Sequence, residues 1–351
     1  MPSLPAKDGK NIGAPHIVIL GAGASIAAYN DWGKIGPPLP AMPNLVSTLH
    51  LEEEFAKAGY DPAKSDFESV YDELATSKKH QSLRGIIENR VYEYFSALSL
   101  PDSPTIYDYL VLSLREKDVI ATFNWDPFLL QAYMRNESVT KTRRPRLVFL
   151  HGNVRIGVCE AHRLSGVNGR NCSKCGQALT PSKLLYPVRQ KDYASDIFIK
   201  GEWSALKQAL SYGYFLTVFG YSAPKTDVEA RALMLEDWKK NPTLTLAEVD
   251  VVDIKPAEEL EQTWEEFFVS HHYGIRNDIF SSYLFQHPRR SCDAFAAATL
   301  MLDPWHDNPF PRFETLAELQ DWVMPLVEEE EKVAQENTAF SGEPILPNVK
   351  A

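Results

Sequence analysis

The chain has 351 residues, 44% hydrophobic, 11% aromatic and 24% charged, which excludes a wholly disordered protein. That length suits two domains or one large α/β domain with insertions. The balance of 36 Lys and Arg against 47 acids leaves a formal charge of −11, which argues against binding nucleic acid through the whole surface.

Residues 1–14 read as a flexible arm, with no apolar run before His16 to act as an export signal. No apolar stretch approaches the roughly 20 residues of a membrane helix, so no membrane contact is expected. Four cysteines make no disulfide framework. The expected compartment is reducing and cytoplasmic, with the cysteines as thiols or metal ligands.

HIVIL (16–20) is a buried-strand run that stops at Gly21-Ala22-Gly23-Ala24-Ser25, and a helix is expected from Ile26 to Tyr29. The stretch from Trp32 to Pro43 is loop, rich in Gly and Pro. Apolar residues at three- and four-residue spacing make about 44–114 a helical insertion. Short apolar strands then alternate with helices. DVIATF precedes a helix through Met134, RLVFL leads into His151, and a helix covers Trp203 to Leu210. YFLTVF precedes a helix from Asp227 to Lys240, and EVDVVDI precedes one around Ala257 to Phe268. This alternation predicts an α/β fold, a Rossmann-like open parallel sheet covered on both faces. A second insertion, about 157–188, holds three cysteines. C-terminal helices extend to about 333, and 334–351 reads as a loose tail. The Glu328–Glu331 run reads as a solvated helix face, Lys141, Arg143, Arg144 and Arg146 as a solvated basic loop, and Cys292 as simply buried.

Five polar or glycine turns fall at the carboxyl ends of separate predicted strands, which a parallel sheet brings to one edge. Gly21, Ala22 and Gly23 with Ser25 suit a phosphate at a helix start, although G-x-G-x-x-G is not completed and a plain tight turn is an alternative. Asn124 and Asp126 leave the DVIATF strand, where Asp126 before Pro127 also suits a helix cap. His151 suits a general base and equally a structural histidine. Gly220, Ser222 and Asp253 complete the set, the last placed to bond ribose hydroxyls.

Cys159, His162, Cys172 and Cys175 follow C-x2-H-x9-C-x2-C. Two close ligand pairs can grip one tetrahedral Zn2+ from two sides. Four ligands leave no open position, so this zinc is expected to be structural.

Together these residues resemble the sirtuin family of NAD-dependent enzymes, across about residues 14 to 256. GAGAS resembles the family's G-A-G-x-S turn; Thr122, Asn124 and Asp126 match T-x-N-x-D; His151-Gly152 matches its catalytic His-Gly; a zinc module follows in the same order. Departures stand beside these matches. GPPLPAMPNLV replaces G-I-P-D-F-R, LLYPVRQKDY replaces the peptide-pairing F-G-E strand, His162 replaces a cysteine, and FGYSAPKTD replaces the G-T-S form. In these the chain resembles a divergent sirtuin-like branch of bacterial anti-phage defence, whose members hydrolyse NAD beside an ATPase, nuclease or Argonaute-like partner.

The resemblance implies an NAD hydrolase that gives nicotinamide and ADP-ribose. Asp126 would hold the carboxamide, Asn124 would orient water or a ribose hydroxyl, and His151 would take a proton. Ser25 and the amides near Gly21 and Gly23 would hold the pyrophosphate. The helical insertion and C-terminal helices are expected to be surfaces for a homo-oligomer or a partner. Two alternatives stand: a protein deacylase or mono-ADP-ribosyltransferase on the same scaffold, and a nucleotide-sensing or assembly subunit without turnover. A hydride-transfer dehydrogenase fits worse, lacking an acid about 20 residues after the glycine turn.

Overall fold

A computed structural model describes residues 11–345 apart from 31–38, 41, 77–79, 141–142, 189–190 and 224–226. Residues 1–10 of the expected arm, most of the loop from Trp32 to Pro43, Lys141 and the last residues of the expected tail lie outside the described residues.

Nine strands form in chain order: β1 His16–Leu20, β2 Val119–Thr122, β3 Arg146–Phe149, β4 Ile156–Cys159, β5 Leu164–Val167, β6 Thr180–Pro181, β7 Phe215–Phe219, β8 Glu248–Val252 and β9 Tyr273–Arg276. Six make one parallel sheet, ordered β3-β2-β1-β7-β8-β9. This is the doubly wound order, in which successive strands run outward from β1 in one direction and then, from β7, in the other. The switch between β1 and β7 opens a crevice at the strands' carboxyl ends.

Alternation along the strands feeds two cores. Val18, Leu20 and Ile120 face the layer that contains the helical insertion and the helix Leu316–Glu336. Ile17, Ile19, Val119, Ala121 and Val148 face the helices Ile197–Leu210, Val228–Trp238 and Ala257–Trp264. With both faces covered, β1, β2, β7 and β8 are mostly apolar, which is why they read as near-continuous runs.

Several expectations are corrected. The arm ends before residue 12: Ile12 and Ala14 are buried, and the Ile12 amide donates to Asp293 Oδ1 at 2.6 Å. The region assigned to C-terminal helices contains the sixth strand, β9. The cysteine insertion is a three-stranded antiparallel sheet ordered β5-β4-β6. The last helix runs on to Glu336, and Phe340 beyond it is buried. Glu330 is no solvated acid: it lies buried against Arg289, whose guanidinium also donates to Leu112 O and Leu114 O. Of the basic loop, Arg143 pairs with Glu330 and Arg144 with Glu137. Cys292 is buried as expected.

His16, at the start of β1, is fully buried between Ser291 Oγ and Thr217 Oγ1, each 2.8 Å from a ring nitrogen. Burial holds its pKa down to about 3; the nearby Asp118 carboxylate raises it and Lys117 lowers it. Below pH ~6.5 the unfolded chain's histidine takes a proton that the folded one refuses. Stability therefore drains as pH falls from ~6.5 toward 3. Glu248, pushed up to about 8 chiefly by burial, gives the opposite slope in any variant that retains it. In denaturant unfolding, wild type should lose stability relative to His16→Gln by about 1.4 kcal/mol per pH unit below ~6.5. Parallel pH profiles for the two proteins would contradict this.

Candidate active site

The glycine bend sits at the sheet's switch point because two backbone segments touch there. The Gly21 amide donates to Phe219 O at 3.1 Å and the Gly23 amide to Gly220 O at 2.9 Å. A β-carbon on Gly21 would meet Gly220 O at 2.5 Å, and Gly220 holds φ +60 with Ala24 N at 2.3 Å from where its own β-carbon would stand. Only glycine allows this contact. The helix Ala22–Asn30 starts four residues earlier than expected. Of the amides in the region expected to hold a pyrophosphate, those of Gly21 and Gly23 themselves already serve carbonyls. What they provide is close approach, and the exposed Ala22 stands at the helix start.

The exit of β2 is tied to that bend through one hydroxyl. Ser25, 1% exposed, donates to Asp126 Oδ2 at 2.6 Å and accepts from Asn124 Nδ2 at 2.8 Å. Asn124 Nδ2 also donates to Gly21 O at 2.7 Å. Tyr107 OH lies 2.7 Å from Ser25 Oγ and 3.3 Å from Asn124 Nδ2. With its proton on Asp126, Ser25 accepts from Tyr107. The Ser25 hydroxyl, expected to help hold a pyrophosphate, is thus a buried junction whose proton goes to Asp126. Asp126 Oδ1 accepts from the Phe128 amide at 3.1 Å, so the residue meets the start of the helix Phe128–Arg135 while also lining the cleft. Burial pushes its carboxyl up to about 6, against the Ser25 and Phe128 hydrogen bonds.

His151 follows β3. Its ring meets the edge of Phe123 at 4.8 Å between centroids, and Nε2 lies 3.5 Å from Tyr193 OH. Burial lowers its pKa to about 4, against the Asp227 carboxylate and with the Lys191 ammonium. The imidazole is therefore neutral near pH 7, with a lone pair available. Asp253 ends β8 half-buried, its carboxylate accepting from the Lys255 amide.

These segments enclose a cleft of about 520 Å³. Gly21, Ala22, Gly23, Ser25, Asn124, Asp126, His151, Gly220, Ser222 and Asp253 all line it. The size is within the usual range for small-molecule and cofactor sites. Sequence reasoning missed Lys191, which shares the lining, and Tyr107, which lies behind it. Phe123 and Tyr221, inside the strand-end turns, and Asp227, five residues beyond the Gly220–Ser222 turn, line the cleft as well. Between β6 and the helix Ile197–Leu210 the described residues form no strand, so the LLYPV segment is coil.

Cys159, His162, Cys172 and Cys175 cluster in the antiparallel module, away from the cleft lining, their ligand atoms all within 4.8 Å of one another. Cys159 Sγ is 3.4 Å from His162 Nδ1 and 3.8 Å from Cys175 Sγ; Cys172 Sγ is 3.6 Å from His162 Nδ1. A tetrahedral zinc with bonds of ~2.3 Å to sulfur and ~2.0–2.1 Å to nitrogen sets ligand edges at roughly 3.5–3.8 Å, so the four residues fit structural zinc. Amides of Cys175 and Lys174 pointing at Cys172 hold its thiol down to about 6, favouring the thiolate.

No described protein family matches the sequence, and no curated protein does. Solved structures do. A Sir2 homologue in complex with NAD is 13% identical, covering 84% of this chain and 91% of that one, with a TM-score of 0.39. A structure described as Sir2 bound to acetylated peptide is 11% identical, covering 82% and 92%, with a TM-score of 0.36. One titled for the mechanism and regulation of Sir2 enzymes is 16% identical, covering 72% and 92%, at 0.35. All are distant.

Purified protein should carry about one zinc per chain by elemental analysis. Cys175→Ser should lose the metal and melt several degrees lower, because a structural site contributes folding energy. Full zinc content in that variant would refute the assignment.

Proposed function

We propose that the cleft binds NAD and that the protein hydrolyses its nicotinamide–ribose bond, releasing nicotinamide and ADP-ribose. The observation that carries this reading is the convergence of Asn124, Asp126 and a neutral, buried His151 beside the Gly21–Ser25 bend in one cleft.

In the reaction the C1′–N bond breaks and its electron pair stays on the ring nitrogen, so nicotinamide leaves neutral. Positive charge develops on the ribose. A water oxygen bonds to C1′ and its proton passes to His151 Nε2. Asp126 accepts from the carboxamide NH2, with Ser25 and the Phe128 amide holding its oxygens in place. Asn124 has its Nδ2 bound to Gly21 O and Ser25, and uses Oδ1 to orient water or a ribose hydroxyl. Ala22 at the helix start meets the pyrophosphate, and Gly220, Ser222 and Asp253 take the adenosine side. The resemblance of the motifs to the divergent sirtuin-like branch supports a role as an anti-phage effector beside an ATPase, nuclease or Argonaute-like partner. It likewise supports a homo-oligomer built on the helical insertion or C-terminal helices. The coil at LLYPV, where a deacylase would pair its peptide, favours hydrolysis over the deacylase alternative.

His151→Ala and Asn124→Ala should keep the wild-type circular dichroism spectrum and lose nicotinamide release by about 100-fold or more. Wild-type turnover in either one would refute the reading. The acid limb of the rate should lie near pH 6, because Asp126 takes its proton before His151 does. A rate held constant down to pH 5 would remove Asp126 from the ionised role.

A further inference from the structure

Behind His151 the cleft contains an ion pair that the reaction outlined above does not use. Lys191 and Asp227 are each 6% exposed, bonded to one another, and both line the cleft. Tyr221 OH donates to Asp227 Oδ2 at 3.1 Å. The Tyr221 ring stacks on Phe123 at 4.2 Å, and Phe123 in turn abuts His151. Tyr193, two residues beyond Lys191, lies parallel to the imidazole at 6.1 Å. The pair and the histidine therefore share one aromatic box, built from the exits of β2, β3 and β7 and the segment before the helix Ile197–Leu210.

A buried ion pair is a costly way to fill a cleft wall, since desolvation offsets most of its attraction. Its position beside a proton acceptor gives it work. When His151 takes a proton, a cation appears on a side chain that is itself only 6% exposed. The charges that bear on the ring are those of Asp227 and Lys191, of opposite sign. Tyr193 and Tyr221 are held protonated by burial. Glu68, Asp126, Asp253 and Lys255 also line the cleft.

We propose that Lys191 and Asp227 are positioning residues for the His151 base: Asp227 is the counter-charge for the imidazolium, and Lys191 holds that carboxylate until the proton arrives. The inference rests on His151 being the base, and no bond is made or broken at either residue. As the proton moves from water to Nε2, the Asp227 charge divides between two cations. The paired ammonium keeps the resting imidazole neutral, and the carboxylate limits the cost of its protonation.

The test is a histidine NMR titration on the full chain labelled at histidine Cε1, with the His151 resonance assigned by its loss in His151→Gln. The wild-type midpoint is expected near 4. Lys191→Gln keeps a hydrogen bond to Asp227 without the charge, and should raise the midpoint by one pH unit or more, about tenfold in proton affinity. Asp227→Asn should keep the ring neutral to the acid limit of the fold. Loosened packing alone would raise the midpoint in both variants. If Asp227→Asn does not fold, the double variant, which leaves no unpaired charge, replaces it: its midpoint must lie at least one unit below that of Lys191→Gln. Unmoved midpoints, or an upward shift on removing Asp227, overturn the proposal. The titration needs no NAD. Shifts as described in a protein that releases no nicotinamide would refute hydrolysis and leave the pairing intact, whereas normal turnover with unmoved midpoints would do the reverse.

Discussion

The site depends on the Ser25 hydroxyl. It is buried where the bend after β1, to which it belongs, meets the loop after β2 and the helix Ile106–Leu112, and it bonds to the loop through Asp126 and Asn124 and to the helix through Tyr107. Each of those partners is a polar group that would cost ~1–3 kcal/mol if left buried and unbonded. The cheapest arrangement satisfies all of them together, and that arrangement places Asn124 and Asp126 against the glycine bend. The helix that supplies Tyr107 is itself pinned. Asp108 accepts from the Thr105 amide and hydroxyl at 2.7 and 2.8 Å, and pairs with Arg135 on the helix Phe128–Arg135. The helical insertion thus braces the cleft from behind as well as covering the sheet.

Burial acts on Asp126 and His151 in the same chemical direction, toward neutrality. It raises Asp126 and lowers His151, so an acid titrates near 6 while a base stays uncharged down to about 4. Above about pH 6 the cleft therefore holds an ionised carboxylate and an uncharged imidazole at once. The close approach of Gly21 and Gly220 leaves no room for a β-carbon at either position, so backbone alone walls the crevice there.

The cysteine module solves a separate problem. A three-stranded sheet with two-residue β6 at its edge buries little apolar surface, and such a unit is marginal on its own. Four ligands around one zinc ion would supply the missing cohesion, and none of the four lines the cleft.

How much was legible follows from how local each signal is. Strands buried on both faces betray themselves as apolar runs, which is why β1, β2, β3, β7 and β8 could be read, together with the turns that end them. The ligand pairs Cys159/His162 and Cys172/Cys175 are local for the same reason, each set by the geometry of a single turn. β9 (YGIR), half-buried along its whole length, leaves no such apolar run. Tyr107 and Lys191 left no signal, because nothing in a helix interior or a polar loop announces which distant segment it will meet. Glu330 read as solvated until the fold turned it onto Arg289. The sequence by itself determined the sheet, its carboxyl-edge turns and the metal knuckles, since those are short-range consequences of glycine, alternation and spacing. Only the tertiary structure decided that Ser25 is a junction, that the Gly21 and Gly23 amides are already occupied, and that an ion pair stands behind His151. Desolvation and partner choice are set by residues a hundred positions away, and no local pattern encodes them.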